Sequence, residues 1–75
     1  MIIRAEWPGY VVDILVNPGQ EVEEDEALVL IEGTDSAHTP FYSNAPDAGK
    51  IKRILVEEGD YIEEDDELVE MVDND

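Results

Sequence analysis

Residues 9–32, GYVVDILVNPGQEVEEDEALVLIE, and residues 49–72, GKIKRILVEEGDYIEEDDELVEMV, align without a gap, each position facing the one forty residues later. Gly9 meets Gly49, Ile14-Leu15-Val16 meets Ile54-Leu55-Val56, and Gly19 meets Gly59. Glu23-Glu24-Asp25 meets Glu63-Glu64-Asp65, and Leu28-Val29 meets Leu68-Val69. Chance does not place so many matches in one register, so the chain is an internal duplication.

Each copy reads as short strands. Val11, Val12, Ile14, Val16 and Val22 are strand-compatible, apolar positions recur at a spacing near two, and Gly19 or Gly59 interrupts each copy. Pro8, Pro18, Pro40 and Pro46 leave no uninterrupted window with helical periodicity. The acidic runs fill turns, and Asp25 and Asp65 stand where a turn favours glycine; aspartate is among the few residues that tolerate left-handed backbone. One copy cannot cover its apolar face, but two stacked about a pseudo-twofold axis can. The expected fold is all-β, a small sandwich or flattened barrel of about eight short strands, formed by residues 1–75 as one domain, with halves 9–32 and 49–72 joined by a hairpin over 33–48.

A chain of 75 residues buries only about 60% of the surface it exposes when unfolded, so the core must be thin. There is no cysteine to reinforce it. That composition fits a reducing compartment and excludes thiolate metal sites and thiol nucleophiles. The start, MIIRAEWPG, lacks the apolar run of a signal peptide, and no segment approaches a membrane span of about 20 apolar residues. The expectation is a cytoplasmic protein, monomeric or weakly dimeric. Four basic against twenty-one acidic residues give a net charge of −17, which disfavours nucleic-acid and membrane partners. The acidity is either a docking surface for a basic partner or a surface adapted to high salt, and its spread through both halves favours the second. Melting against KCl separates these: marked stabilisation by molar salt is expected of adaptation, indifference of docking.

The segments AEWPGYVVDILVNPGQEV (5–22) and APDAGKIKRILVEEGDYIEEDDEL (45–68) resemble the two halves of the biotinyl and lipoyl carrier domains, the biotin/lipoyl attachment family. In the first, Pro8-Gly9, Val16, Gly19 and Val22 carry the match; in the more specific second half it rests on Ala45-Pro46, Gly49, Ile54, Val56, Gly59-Asp60 and Leu68. The resemblance implies a barrel-sandwich hybrid of two four-stranded sheets related by a pseudo-dyad. It also implies a lysine on the joining hairpin, within Met-Lys-Met or Asp-Lys-Ala, carrying amide-linked biotin or lipoate. Here TDSA, Thr34 to Ala37, is similar to the lipoyl form with Ser36 in the lysine's place. Counting from Leu28 and Glu32 puts the acceptor at Asp35, and counting back from Gly49 puts it at His38, so the hairpin is about three residues longer than the family's. No register yields a lysine, because none occurs between Met1 and Gly49. An amide to an activated carboxylate needs an exposed primary amine, so no biotin or lipoate is expected at Asp35, Ser36 or His38.

The remaining candidate residues also have plain structural roles open to them. Lys50 and Lys52 pair with Tyr10 and Val12 in the repeat, on a strand, and read as surface side chains rather than a relocated attachment point. His38, the only histidine, resembles the phosphorylated histidines of related sugar-transport domains only loosely, since those are larger and use a second histidine; a loop contact is the preferred reading. EVEEDE and YIEEDDE lack calcium-loop spacing, so no metal site is expected. Phe41 and Tyr42 either cover the open end of the barrel or, with His38, form a partner contact. Trp7 is expected to pack at the start of the first copy. No nucleophile, base and pocket come together, so the chain reads as a non-enzymatic docking or regulatory module of a carboxylase or acyltransferase type complex. The alternatives are a carrier subunit with an unusual attachment point and a phosphocarrier using His38.

Overall fold

The computed structural model describes residues 1–73. Eight strands follow one another: β1 (Ile2–Arg4), β2 (Gly9–Ile14), β3 (Glu21–Val22), β4 (Ala27–Gly33), β5 (Pro40–Asn44), β6 (Gly49–Ile54), β7 (Tyr61–Ile62) and β8 (Glu67–Asp73). They form two antiparallel four-stranded sheets, ordered β1-β8-β6-β3 and β5-β4-β2-β7. The fold is the expected barrel-sandwich hybrid. Its halves interlock, because each sheet takes two strands from each copy.

The duplication is visible bond by bond. Asp25 N–H donates to the Ala45 carbonyl at 2.8 Å and Asp65 N–H to that of Ala5 at 2.8 Å; Gly19 N–H donates to Ile51 at 2.7 Å and Gly59 N–H to Val11 at 2.8 Å. Both copies bulge at the same place, between Val11 and Asp13 in β2 and between Ile51 and Arg53 in β6. Asp25 and Asp65 adopt the left-handed conformation anticipated for them, with φ of 67° and 71°. The acidic turns also satisfy their own backbone: Glu63 N–H donates to the Asp66 carboxylate at 2.8 Å and Glu23 N–H to the Glu26 carboxylate at 3.1 Å.

Between the sheets lies a core with no buried polar side chain among the described residues. Leu28, Val29 and Ile31 of β4 interleave with their counterparts Leu68, Val69 and Met71 of β8, all fully buried. β2 and β6 each read buried and exposed in strict alternation over their first four residues. This is the period-two pattern of a strand with one face on the core.

Two expectations need correction. The repeat is longer than 9–32 and 49–72, because β1 and β5 are also related by the forty-residue offset, with Ala5 and Ala45 buried at equivalent points. The connection between halves is therefore residues 34–39 rather than 33–48. Trp7 does not pack closely at the start of the first copy: it is 59% exposed. The chain bends at Glu6–Trp7 between buried Ala5 and Gly9, which leaves the indole on the outside.

Gly19 and Gly59 have φ of 90° and 93°, and a Cβ at either would meet nothing within 4 Å. Any penalty for a side chain there is purely conformational. Gly19→Ala and Gly59→Ala are each expected to cost about 1–2 kcal/mol, read as matching downward shifts in thermal midpoint.

Candidate functional site

The β4–β5 hairpin projects from one sheet and, among the described residues, is the one connection without a counterpart in the repeat. Its strands stay in register to Glu32 opposite Pro40, and Gly33 N–H adds one more bond to the Thr39 carbonyl at 2.9 Å. That carbonyl lies where a Gly33 Cβ would be, 2.8 Å away, so the close approach requires glycine. Beyond it the chain turns back over Asp35-Ser36-Ala37-His38, closed by His38 N–H donating to the Asp35 carbonyl at 3.0 Å. His38 takes a left-handed φ of 52° to rejoin the strand.

Asp35 clasps the loop. Its carboxylate accepts from the Thr39 backbone N–H at 2.8 Å through one oxygen and from the Thr39 hydroxyl at 2.8 Å through the other. Those two bonds, the hydroxyl's foremost, hold its carboxyl below the usual aspartate value. His38 folds back along β4, with Nδ1 3.2 Å from a Glu32 carboxylate oxygen. Of the three positions matched to the acceptor, Asp35 and His38 are thus occupied with the loop itself. Ser36, a central residue of the turn, is exposed and makes no side-chain hydrogen bond among the described residues.

The aromatic candidates separate. Both lie on β5 rather than in a linker: Phe41 is half-buried and packs against the core, while Tyr42 points outward and is 56% exposed. Tyr42 also lines a groove of about 430 Å³ between β1 and β5, with Ile2, Trp7 and Pro46. Alternation along β5 was the available signal for this split, hidden by assigning the segment to a loop. Lys50 and Lys52 lie on β6 in the opposite sheet, and Lys52 Nζ sits 3.6 Å from Glu70. Among the described residues no three acidic or histidine side chains gather as metal ligands.

Two interlocked sheets with an exposed hairpin at the joint define a barrel-sandwich domain of the biotinyl/lipoyl type. The chain belongs to the biotin/lipoyl attachment family, whose model, described as "Biotin-requiring enzyme", matches residues 1–71. It is 40% identical over 63 residues to the dihydrolipoyllysine-residue acetyltransferase component of the pyruvate dehydrogenase complex of Pseudomonas aeruginosa, covering 84% of this chain and 11% of that one. The chain therefore spans about a tenth of that relative's length. Among solved structures, the lipoyl domain of the 2-oxoglutarate dehydrogenase complex from Azotobacter vinelandii superposes with a TM-score of 0.78 at 25% identity, covering 99% of this chain and 98% of that domain. A single-chain, multi-domain long-chain acyl-CoA carboxylase superposes at 0.88 and 25% identity, over all of this chain and 7% of that one.

The hairpin residues do not fit an amide-linked prosthetic group. Serine and threonine hydroxyls, a carboxylate and an imidazole are what the tip offers, and none forms a stable amide with an activated acid.

Because its folded-state carboxyl is depressed, the Asp35 clasp is present above the ordinary aspartate range and is lost as pH falls through the lower folded value. Thr39 amide protection measured by hydrogen exchange is expected to fall over that acid range. Asp35→Ala should remove it at neutral pH while moving the global melting temperature by no more than about 4 °C, as for an exposed loop.

Proposed function

We propose that the protein is a carrier-type domain that works by docking rather than by carrying a group. It occupies, regulates or helps assemble a carboxylase or acyltransferase type complex, using a body shaped like a carrier domain. The observation that supports this most directly is a turn built in full, with its clasp and its exposed central residue, in which Ser36 stands and no amine is available. The relatives' descriptions as components of dehydrogenase complexes point to the kind of assembly it would join. A serine hydroxyl attacking an activated acyl group would give a hydrolysable ester in place of a stable amide, so on this reading the turn keeps its shape without its load.

Intact mass measurement tests this. Protein from its native source, and protein co-expressed with biotin and lipoate ligases, is expected to show no biotinyl or lipoyl mass. Ser36→Lys is expected to gain such a mass on co-expression, since it restores Asp-Lys-Ala on a preformed turn. A modified wild-type protein, for instance on Lys50 or Lys52, would instead make it a carrier with an unusual attachment point.

A further inference from the structure

The duplication supplies its own control, because apart from Pro40 at the start of β5 the surface positions of one sheet have counterparts on the other. The outer faces have diverged. All four basic side chains, Arg4, Lys50, Lys52 and Arg53, lie on the β1-β8-β6-β3 sheet, whose strands also hold four acidic ones. There Glu70 bonds Arg53 at 2.7 Å and approaches Lys52 at 3.6 Å, and its carboxyl is held low chiefly by the Arg53 hydrogen bond. The charges on the strands of that sheet balance, and Arg4, Lys52 and Arg53 are paired within it to Glu67 and Glu70.

The β5-β4-β2-β7 sheet holds no basic residue and two acidic ones, Asp13 and Glu32. Where the first sheet has Lys52, Arg53 and Glu70, this one has Val12, Asp13 and Leu30. All three tyrosines of the chain are here and are about half exposed. Tyr10 and Tyr61 face each other across β2 and β7, ring centroids 5.2 Å apart and edge to face. Leu30 sits opposite Tyr42, with Val12 45% exposed on β2 beside it. Tyr61, Tyr10, Val12, Leu30 and Tyr42 thus cross the sheet from edge to edge. Single exposed apolar residues are ordinary; a connected stripe in a chain of net charge −17 is not.

We propose that this tyrosine stripe is a docking face for a protein surface that presents arginines around an apolar centre. Guanidinium groups stack on tyrosine faces and pair with Asp13, which the register sets opposite Leu30, and with Glu32 toward the hairpin beside His38, while the apolar centre covers Val12 and Leu30. A second copy meeting this stripe with its own stripe would bring no cation to the contact, and one meeting it with the basic sheet would bring arginines already paired to Glu67 and Glu70 and a second strongly acidic body, so a foreign arginine-bearing surface is the favoured occupant. The inference deepens the docking reading by naming the surface. Its failure is separable from that reading's, which rests on the mass measurement.

The test is an amide-resolved NMR titration at about 150 mM salt, where charges more than about 8 Å apart are screened. The probe is acetyl-Arg-Leu-Arg-Leu-Arg-amide, with acetyl-Lys-Ser-Lys-Ser-Lys-amide as its equal-charge control. The first peptide is expected to shift Tyr10, Val12, Leu30, Tyr42 and Tyr61 saturably and to bind at least about tenfold more tightly than the second. The double variant Val12→Lys/Leu30→Glu, which copies a pair the other sheet already accommodates, should abolish that preference, and Tyr10→Ser should weaken it. Equal affinities, absence of saturable shifts at millimolar peptide, or shifts shared equally by the Glu23–Asp25 and Glu63–Asp65 turns would overturn the proposal. So would concentration-dependent self-association in sedimentation that the double variant removes, which would make a second copy the occupant.

Discussion

Every sheet in this protein is completed by strands from the other half of the chain. β1 and β3 of the first copy join β6 and β8 of the second, while β5 and β7 of the second join β2 and β4 of the first. Neither copy can satisfy its own strand edges or cover its own apolar side, so the halves fold only on each other. The left-handed turns at Gly19, Asp25, Gly59 and Asp65 follow from that demand. They redirect the chain from one sheet to the other within a few residues, and their amides bond the opposite copy as they do so. Because such pairings are distant in sequence, folding has to close large loops before contacts reward it.

The hairpin stands apart from this constraint. Its tip is held by Asp35, Thr39 and the glycine at 33, all within the loop, and draws nothing from the core. Side chains at Ser36 and Ala37 can therefore change without cost to the barrel. A single substitution at such a turn alters which groups it presents and leaves the shape of the barrel as it was.

Much of this was legible in the residues. Identities at a constant offset exposed the repeat, and the glycine and aspartate positions located the turns, because left-handed backbone is restricted to a few residue types. What escaped was β1 and β5. Ile2-Ile3-Arg4 and Tyr42-Ser43-Asn44 share no residue at the repeat offset, and edge strands with one solvated side tolerate such divergence. Placing Phe41 and Tyr42 in a loop followed from that omission. Trp7 escaped for a related reason: its place at the start of the first copy argues for packing there, but the bend between Ala5 and Gly9 decides which way it points. At the hairpin, counting gave three candidate positions, and only the bonds made by Asp35 and His38 separate them from Ser36. The exposed tyrosines carried no sequence signal until the register set them side by side.

Strand exchange between copies related by a twofold axis has the form of an isologous dimer whose subunits have been joined end to end. In such a dimer of identical chains both faces must change together. Once the two are joined by residues 34–39, a substitution at Val12 no longer forces one at residue 52. Covalent linkage thus released one face to become ionic and the other aromatic, while the interior, where Leu28 still mirrors Leu68, remained bound to the older symmetry.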